Sequence, residues 1–235
     1  MPSIYYGGVD VTYLLLMIPV LLFSLWAQAS VTSTFNRYNK VRNARAMTGA
    51  DAARLILDRN GLHHVRIKHI SGTLTDHYDP RDNVIRLSDA VYASPTVAAV
   101  GVAAHEAGHA VQYAEQYAPI RLRASIVSLT QFASKWSVYI LMFGLLLSVG
   151  ILAEIGFWLY AVVAFFQLVT LPVEFNASRR AMQALSEGGA LSGEELSGAK
   201  KVLGAAAMTY VAALLSALVQ LLRLWSIVSS SRRRR

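Results

Sequence analysis

Long apolar runs alternate with shorter polar stretches along this chain. Val11 to Ala29 is uncharged over nineteen residues, enough to cross a hydrocarbon core of roughly 30 Å despite Pro19 in its middle. Trp136 to Ala153 and Ile155 to Val173 are separated only by Glu154 and predict a membrane hairpin turning at that glutamate. Val202 to Val228 is apolar and rich in alanine, but Arg223 interrupts it, so it predicts either a fourth span or a re-entrant or interfacial segment. The pattern yields three to four membrane helices.

The residues between these runs predict a small water-facing domain. Thr48-Gly49-Ala50-Asp51 reads as a capping box opening a helix through Leu55, Ile56 and Leu57 that stops at Asn60-Gly61. Val65 to Ile70, Thr73 to Tyr78 and Val84 to Leu87 predict short strands of an antiparallel sheet, with the turn residues Asp79 to Asn83 joining the last two. Val84 to Leu87 is the expected cleft edge, where an extended peptide could pair. Ser94 to Gln116 predicts a helix capped by Ser94 with Pro95 in its first position. The expected layout is an anchor over 1–30, the water-facing domain over 31–135 and the hairpin over 136–173. A polar helix and linker follow over 174–201, and the last membrane or re-entrant helix with its basic tail fills 202–235. The fold class is a mainly α integral membrane protein with a small α+β domain.

Composition agrees. Of 235 residues 54% are hydrophobic and mean hydropathy is +0.40, too apolar for an ordinary soluble domain. The net charge of +8 comes from Lys and Arg gathered beside apolar runs, which fits positive flanks of membrane helices and argues against nucleic-acid binding. Met1 to Asp10 has no Lys or Arg, so the first apolar run is expected to stay as an anchor. Eleven basic residues flank the water-facing side: Arg37, Lys40, Arg42, Arg45, Arg121, Arg123, Lys135, Arg179, Arg180, Lys200 and Lys201. They favour a cytoplasmic domain, against which the Arg232 to Arg235 tail argues if all four segments span. Without cysteine, the chain has no disulfides, thiol catalysis or Cys metal ligands.

The chemistry gathers at His105-Glu106-Ala107-Gly108-His109. Two histidines four apart on a helix share one face and can reach one metal ion, while the neighbouring Glu106 can act as general base, the zincin arrangement. A third ligand is required, and Glu174 is the best candidate, with Ser178 one turn later on the same face. His63, His64, His69 and His77 compete, His77 most strongly because it precedes the expected cleft edge. His77, Tyr78, Arg179 and Tyr210 are all candidates for stabilising an oxyanion. The expected cofactor is one Zn2+ per chain, and the expected activity is hydrolysis of peptide bonds in membrane or membrane-proximal proteins. The rival expectation is a non-proteolytic membrane scaffold that keeps the fold. Beyond the bilayer and a protein or peptide substrate, a regulatory membrane partner or a homo-oligomer stays open.

HEAGHAVQ from His105, DHYDPRDNVIRLS from Asp76 and LPVEFNASRRA from Leu171 together resemble the bacterial neutral zinc metallopeptidase family of YugP-like membrane proteins. The likeness runs from the first membrane segment to Leu221-Leu222-Arg223-Leu224. More distantly the chain is similar to HtpX-like and CaaX-processing membrane proteases. The resemblance implies a gluzincin domain with His105, His109 and Glu174 as zinc ligands and Glu106 as base. In the distant relatives an aspartate stands where this chain has Ser178, so a hydroxyl would support the histidine here.

Overall fold

Helices occupy the apolar runs and extend well past them. The computed structural model describes Tyr5, Tyr6 and residues 9–233, with side chains over 11–231. Most of the first ten residues of the expected anchor, and the side chains of the Arg232 to Arg235 tail, therefore lie outside the described residues. The elements in order are β1 (Tyr5–Tyr6), β2 (Val9–Asp10), α1 (Val11–Tyr38), α2 (Gly49–Arg59), β3 (Arg66–His69), β4 (His77–Asp79) and β5 (Val84–Leu87). They are followed by α3 (Val97–Ala114), α4 (Ala118–Leu146), α5 (Gly150–Glu187) and α6 (Gly193–Arg233). Among the described residues α1, α4, α5 and α6 are long and apolar enough to cross a membrane, which marks an integral membrane protein.

The chain forms two compact units. One comprises the chain up to Trp26, Leu122–Leu171 and the chain from Thr209. Its helices expose many large apolar side chains, among them Leu15, Leu22, Leu146 and Trp158, as lipid-facing surfaces do. Leu141, Ala153, Leu224 and Val228 form its small core. Arg223 is accommodated by lying over the Tyr13 ring, 4.1 Å from its centroid, while the Tyr13 hydroxyl donates to Gln220 Oε1 at 3.2 Å. The expected turn at Glu154 falls earlier: α4 ends at Leu146, and Ser148 takes the left-handed φ of 57° that reverses the chain. A single charge near the membrane end marks the turn less well than a residue able to adopt that conformation.

The other unit comprises Ala27–Arg121 and Pro172–Met208. Its core draws Ile56 and Leu57 from α2, Ile85 and Leu87 from β5, and Val97, Val100 and Ala104 from α3. Leu185 of α5 and Leu203 of α6 complete it. Each fully buried Leu, Ile or Val contributes about 1.5–3 kcal/mol through removal from water. The capping box forms as expected: Thr48 Oγ1 accepts from Asp51 N and Thr48 N donates to Asp51 Oδ2.

Four expectations change. The sheet is mixed, in the order β3-β5-β4, with β3 parallel and β4 antiparallel to β5. β5 is therefore the buried centre, and β3 and β4 rather than β5 are the sheet edges. The α3 cap is Thr96, whose Oγ1 accepts from Ala99 N, while the Pro95 carbonyl accepts from Asn43 N and Nδ2. No new helix begins at Glu174, since α5 continues through Pro172, and α6 is unbroken from Gly193 through the expected linker into the apolar run. A proline in a long apolar helix costs one backbone hydrogen bond without ending the helix.

Candidate metal centre

The 3.6-residue period of α3 puts His105 and His109 on one face, and α5 brings Glu174 to them. The two backbones meet closely at Gly108, where an added Cβ would stand 2.7 Å from the Ala177 carbonyl oxygen. Hydrogen in place of a side chain is thus a condition of the cluster.

His105 Nε2 lies 3.2 Å and His109 Nε2 3.5 Å from Glu174 Oε2. One ligand atom from each of the three residues falls within 4.8 Å of the other two, a grouping able to hold a metal ion. The side chains are nearly enclosed, with exposures of 14%, 11% and 3% for His105, His109 and Glu174. A carboxylate so buried requires a cation or donors. Both imidazoles turn Nε2 to the shared point and are held from behind: His105 Nδ1 lies 3.1 Å from Ser178 Oγ, and His109 Nδ1 3.0 Å from Gln112 Oε1. The donor set of two imidazoles and a carboxylate, tied by outer hydrogen bonds, fits zinc. Burial opposes a charged His109, but its hydrogen bond to Glu174 and the Glu106 and Glu174 charges outweigh burial, so its pKa lies above the ordinary histidine value.

Glu106, 9% exposed, stands beside His105 on α3, and its Oε2 accepts from Tyr78 N on the edge strand β4 at 3.0 Å. Tyr78 thus joins the site through its backbone. Its phenol donates to Asn83 Oδ1, and burial pushes it up, so it stays protonated. Asp76, at the start of the β4 hairpin, accepts from Ser88 N at 2.7 Å and Ser88 Oγ at 3.0 Å. Burial, assisted by repulsion from Glu106, pushes the Asp76 carboxyl up against those hydrogen bonds.

The competing histidines stay outside. His63 pairs with Asp58, His69 pairs with Asp89, and His64 is exposed. His77, also exposed, hydrogen-bonds the Thr75 carbonyl, and Arg179 is exposed on α5. Neither His77 nor Arg179 hydrogen-bonds His105, Glu106, His109 or Glu174. Tyr210 belongs to the other compact unit. Sequence reasoning missed Gln112, Asn176 and Asp76. Gln112 carried a usable signal, since it is one helical turn after His109 and thus beside it.

Apolar membrane helices and a buried His-His-Glu cluster define a membrane protein with a site able to hold a metal ion. A family model described as "Putative neutral zinc metallopeptidase" matches residues 13–229, and the chain belongs to that family, as its three motifs suggested. A relative from Bacillus subtilis (strain 168), "Putative membrane protease YugP", is 46% identical over 220 residues, covering 94% of this chain and 98% of the relative. No solved structure matches the chain.

Proposed function

We propose that the chain is a membrane zinc endopeptidase with a zincin-like, gluzincin-type site: His105, His109 and Glu174 hold one zinc, and Glu106 is the general base. The observation that carries this is the convergence of the three ligand atoms beside a Glu106 carboxylate already oriented by Tyr78 N. Family membership supports zinc and peptidase chemistry.

Bound zinc supplies Lewis acidity, which makes water acidic near neutral pH and polarises a carbonyl. Glu106 Oε2 is occupied by the Tyr78 N–H, which leaves Oε1 to take the proton of the attacking water. As the new C–O bond forms and the C–N bond breaks, Glu106 passes that proton to the leaving amine nitrogen. The products are a carboxylate and a free amine. β4 is an edge strand beside Glu106, a place where an extended substrate backbone can lie, with the Tyr78 N–H itself held by Glu106. Membrane-proximal segments of other proteins are the proposed substrates. The presence of Glu106 argues against a scaffold that keeps only the metal ligands.

The test is hydrolysis of a quenched fluorescent peptide library by purified full chain. Cleavage is expected with zinc, is abolished by a chelator and returns on adding zinc. A zinc-loaded chain that cleaves none of the library overturns the enzyme assignment.

The eleven basic residues flanking the apolar runs support a cytoplasmic site, and the bacterial relative supports a bacterial inner membrane as the location. Because the wild type has no cysteine, Lys68→Cys gives one exposed reporter on β3. It should resist an impermeant thiol reagent applied to intact cells and react after lysis. Reaction in intact cells would reverse the orientation.

A further inference from the structure

Behind His109 lies a line of hydrogen bonds whose direction is fixed at both ends. Gln112, fully buried, places Oε1 3.0 Å from His109 Nδ1 and donates from Nε2 to the Val173 carbonyl and to Asn176 Oδ1, each at 2.9 Å. Asn176 Oδ1 also accepts from Arg180 Nε at 2.8 Å, and Arg180 is in turn paired with Glu115 at 2.6 Å.

The polarity follows from groups that cannot reverse. A guanidinium only donates, so the Asn176 atom facing Arg180 is its oxygen. A backbone carbonyl only accepts, so the Gln112 atom facing Val173 is its nitrogen. Two independent partners thus orient the Gln112 amide the same way, and its oxygen is left toward His109. That oxygen needs a hydrogen, which His109 Nδ1 must carry. The neutral imidazole then keeps its lone pair on Nε2, the atom turned toward Glu174.

We propose that Gln112 is a positioning residue that selects the metal-binding tautomer of His109, with Asn176 and Arg180 fixing the sense of its amide. This role rests on His109 being a zinc ligand. Ser178, whose hydroxyl can either donate or accept, imposes no such direction on His105. The two histidines are therefore held by unequal means, and only the second has its tautomer set by its partner.

The experiment measures zinc affinity of the purified full chain by chelator competition, together with imidazole 15N spectra of the zinc-loaded protein and melting of the metal-free protein. Gln112→Leu should weaken zinc binding about 10–100-fold, the usual effect of losing a hydrogen-bond partner behind a ligand. The wild-type spectrum should show His109 protonated at Nδ1 and metal-bound at Nε2. A folded Gln112→Leu with wild-type affinity, or one that changes melting alone, overturns the role. If Gln112→Leu does not fold, the spectrum decides: metal on Nδ1 overturns the role, and metal on Nε2 with the proton on Nδ1 supports it. A wild type that binds no zinc defeats the zinc site itself, and this role with it; one zinc with an unaffected Gln112→Leu defeats the role alone.

Discussion

Glu106→Gln is expected to bind one zinc and to lose peptide hydrolysis by roughly 10²–10⁴-fold, the usual contribution of a positioned acid–base group. The amide has the volume of the carboxylate, and its oxygen can still accept from Tyr78 N, so the approach of β4 to α3 is preserved. What it cannot do is take a proton. The same group serves twice, as base toward water and as acid toward the leaving nitrogen, so the loss should fall on kcat more than on KM. Replacing a buried charge beside Asp76 by a neutral group also removes a repulsion, so folding should not suffer. Turnover within tenfold of wild type at equal zinc content would show that another group is the base.

Glu174→Ala should bind zinc weakly or not at all. Apparent zinc affinities of complete protein sites correspond to ~10–16 kcal/mol, so losing one of three ligands should cost about 3–5 kcal/mol, or two to four orders of magnitude in Kd. Alanine suits the helix interior and leaves α5 its backbone hydrogen bonds. It also leaves a small void beside His105 and His109 in a place where Glu174 is 2% exposed. Glu174→Gln keeps the volume and separates the two effects: it should melt closer to wild type and still bind zinc far more weakly, since a neutral amide oxygen is a poorer ligand than a carboxylate. Chelator competition on both variants measures the loss.

Much of the cluster could be read from the sequence because its parts are local. His105, Glu106 and His109 occupy one helix, where spacing alone fixes which side chains share a face. Ser178 followed in the same way from Glu174 by one turn. The link from α3 to α5 is not local, because it depends on a contact across 69 residues of chain. The sequence places Glu174 at the start of a helix on the domain side of the membrane, and the structure brings it to the two histidines within a continuing helix rather than at the start of one. Gly108 shows why the contact closes, but a glycine in a sequence does not name the backbone it will meet.

The sheet was legible only as strands. Hydrophobic alternation finds Val84 to Leu87 but cannot say which strands flank it, and neighbours in sequence invite a meander. Parallel pairing of β3 with β5 makes β5 central and leaves β4 at an edge, where Tyr78 N meets Glu106. Helix ends were the other loss. Single markers such as Pro172 and Glu154 suggest boundaries, whereas the long apolar helix α5 carries both without breaking. Gln112 was overlooked for a different reason: a buried amide in a helix looks like any polar residue until its partners fix its direction.

The most direct test is zinc content per chain by elemental analysis, run side by side on wild type, Glu106→Gln and Glu174→Ala purified in zinc and then dialysed. One zinc in wild type, one in Glu106→Gln and none in Glu174→Ala is the expected result. A full zinc retained by Glu174→Ala contradicts the His105, His109, Glu174 ligand set.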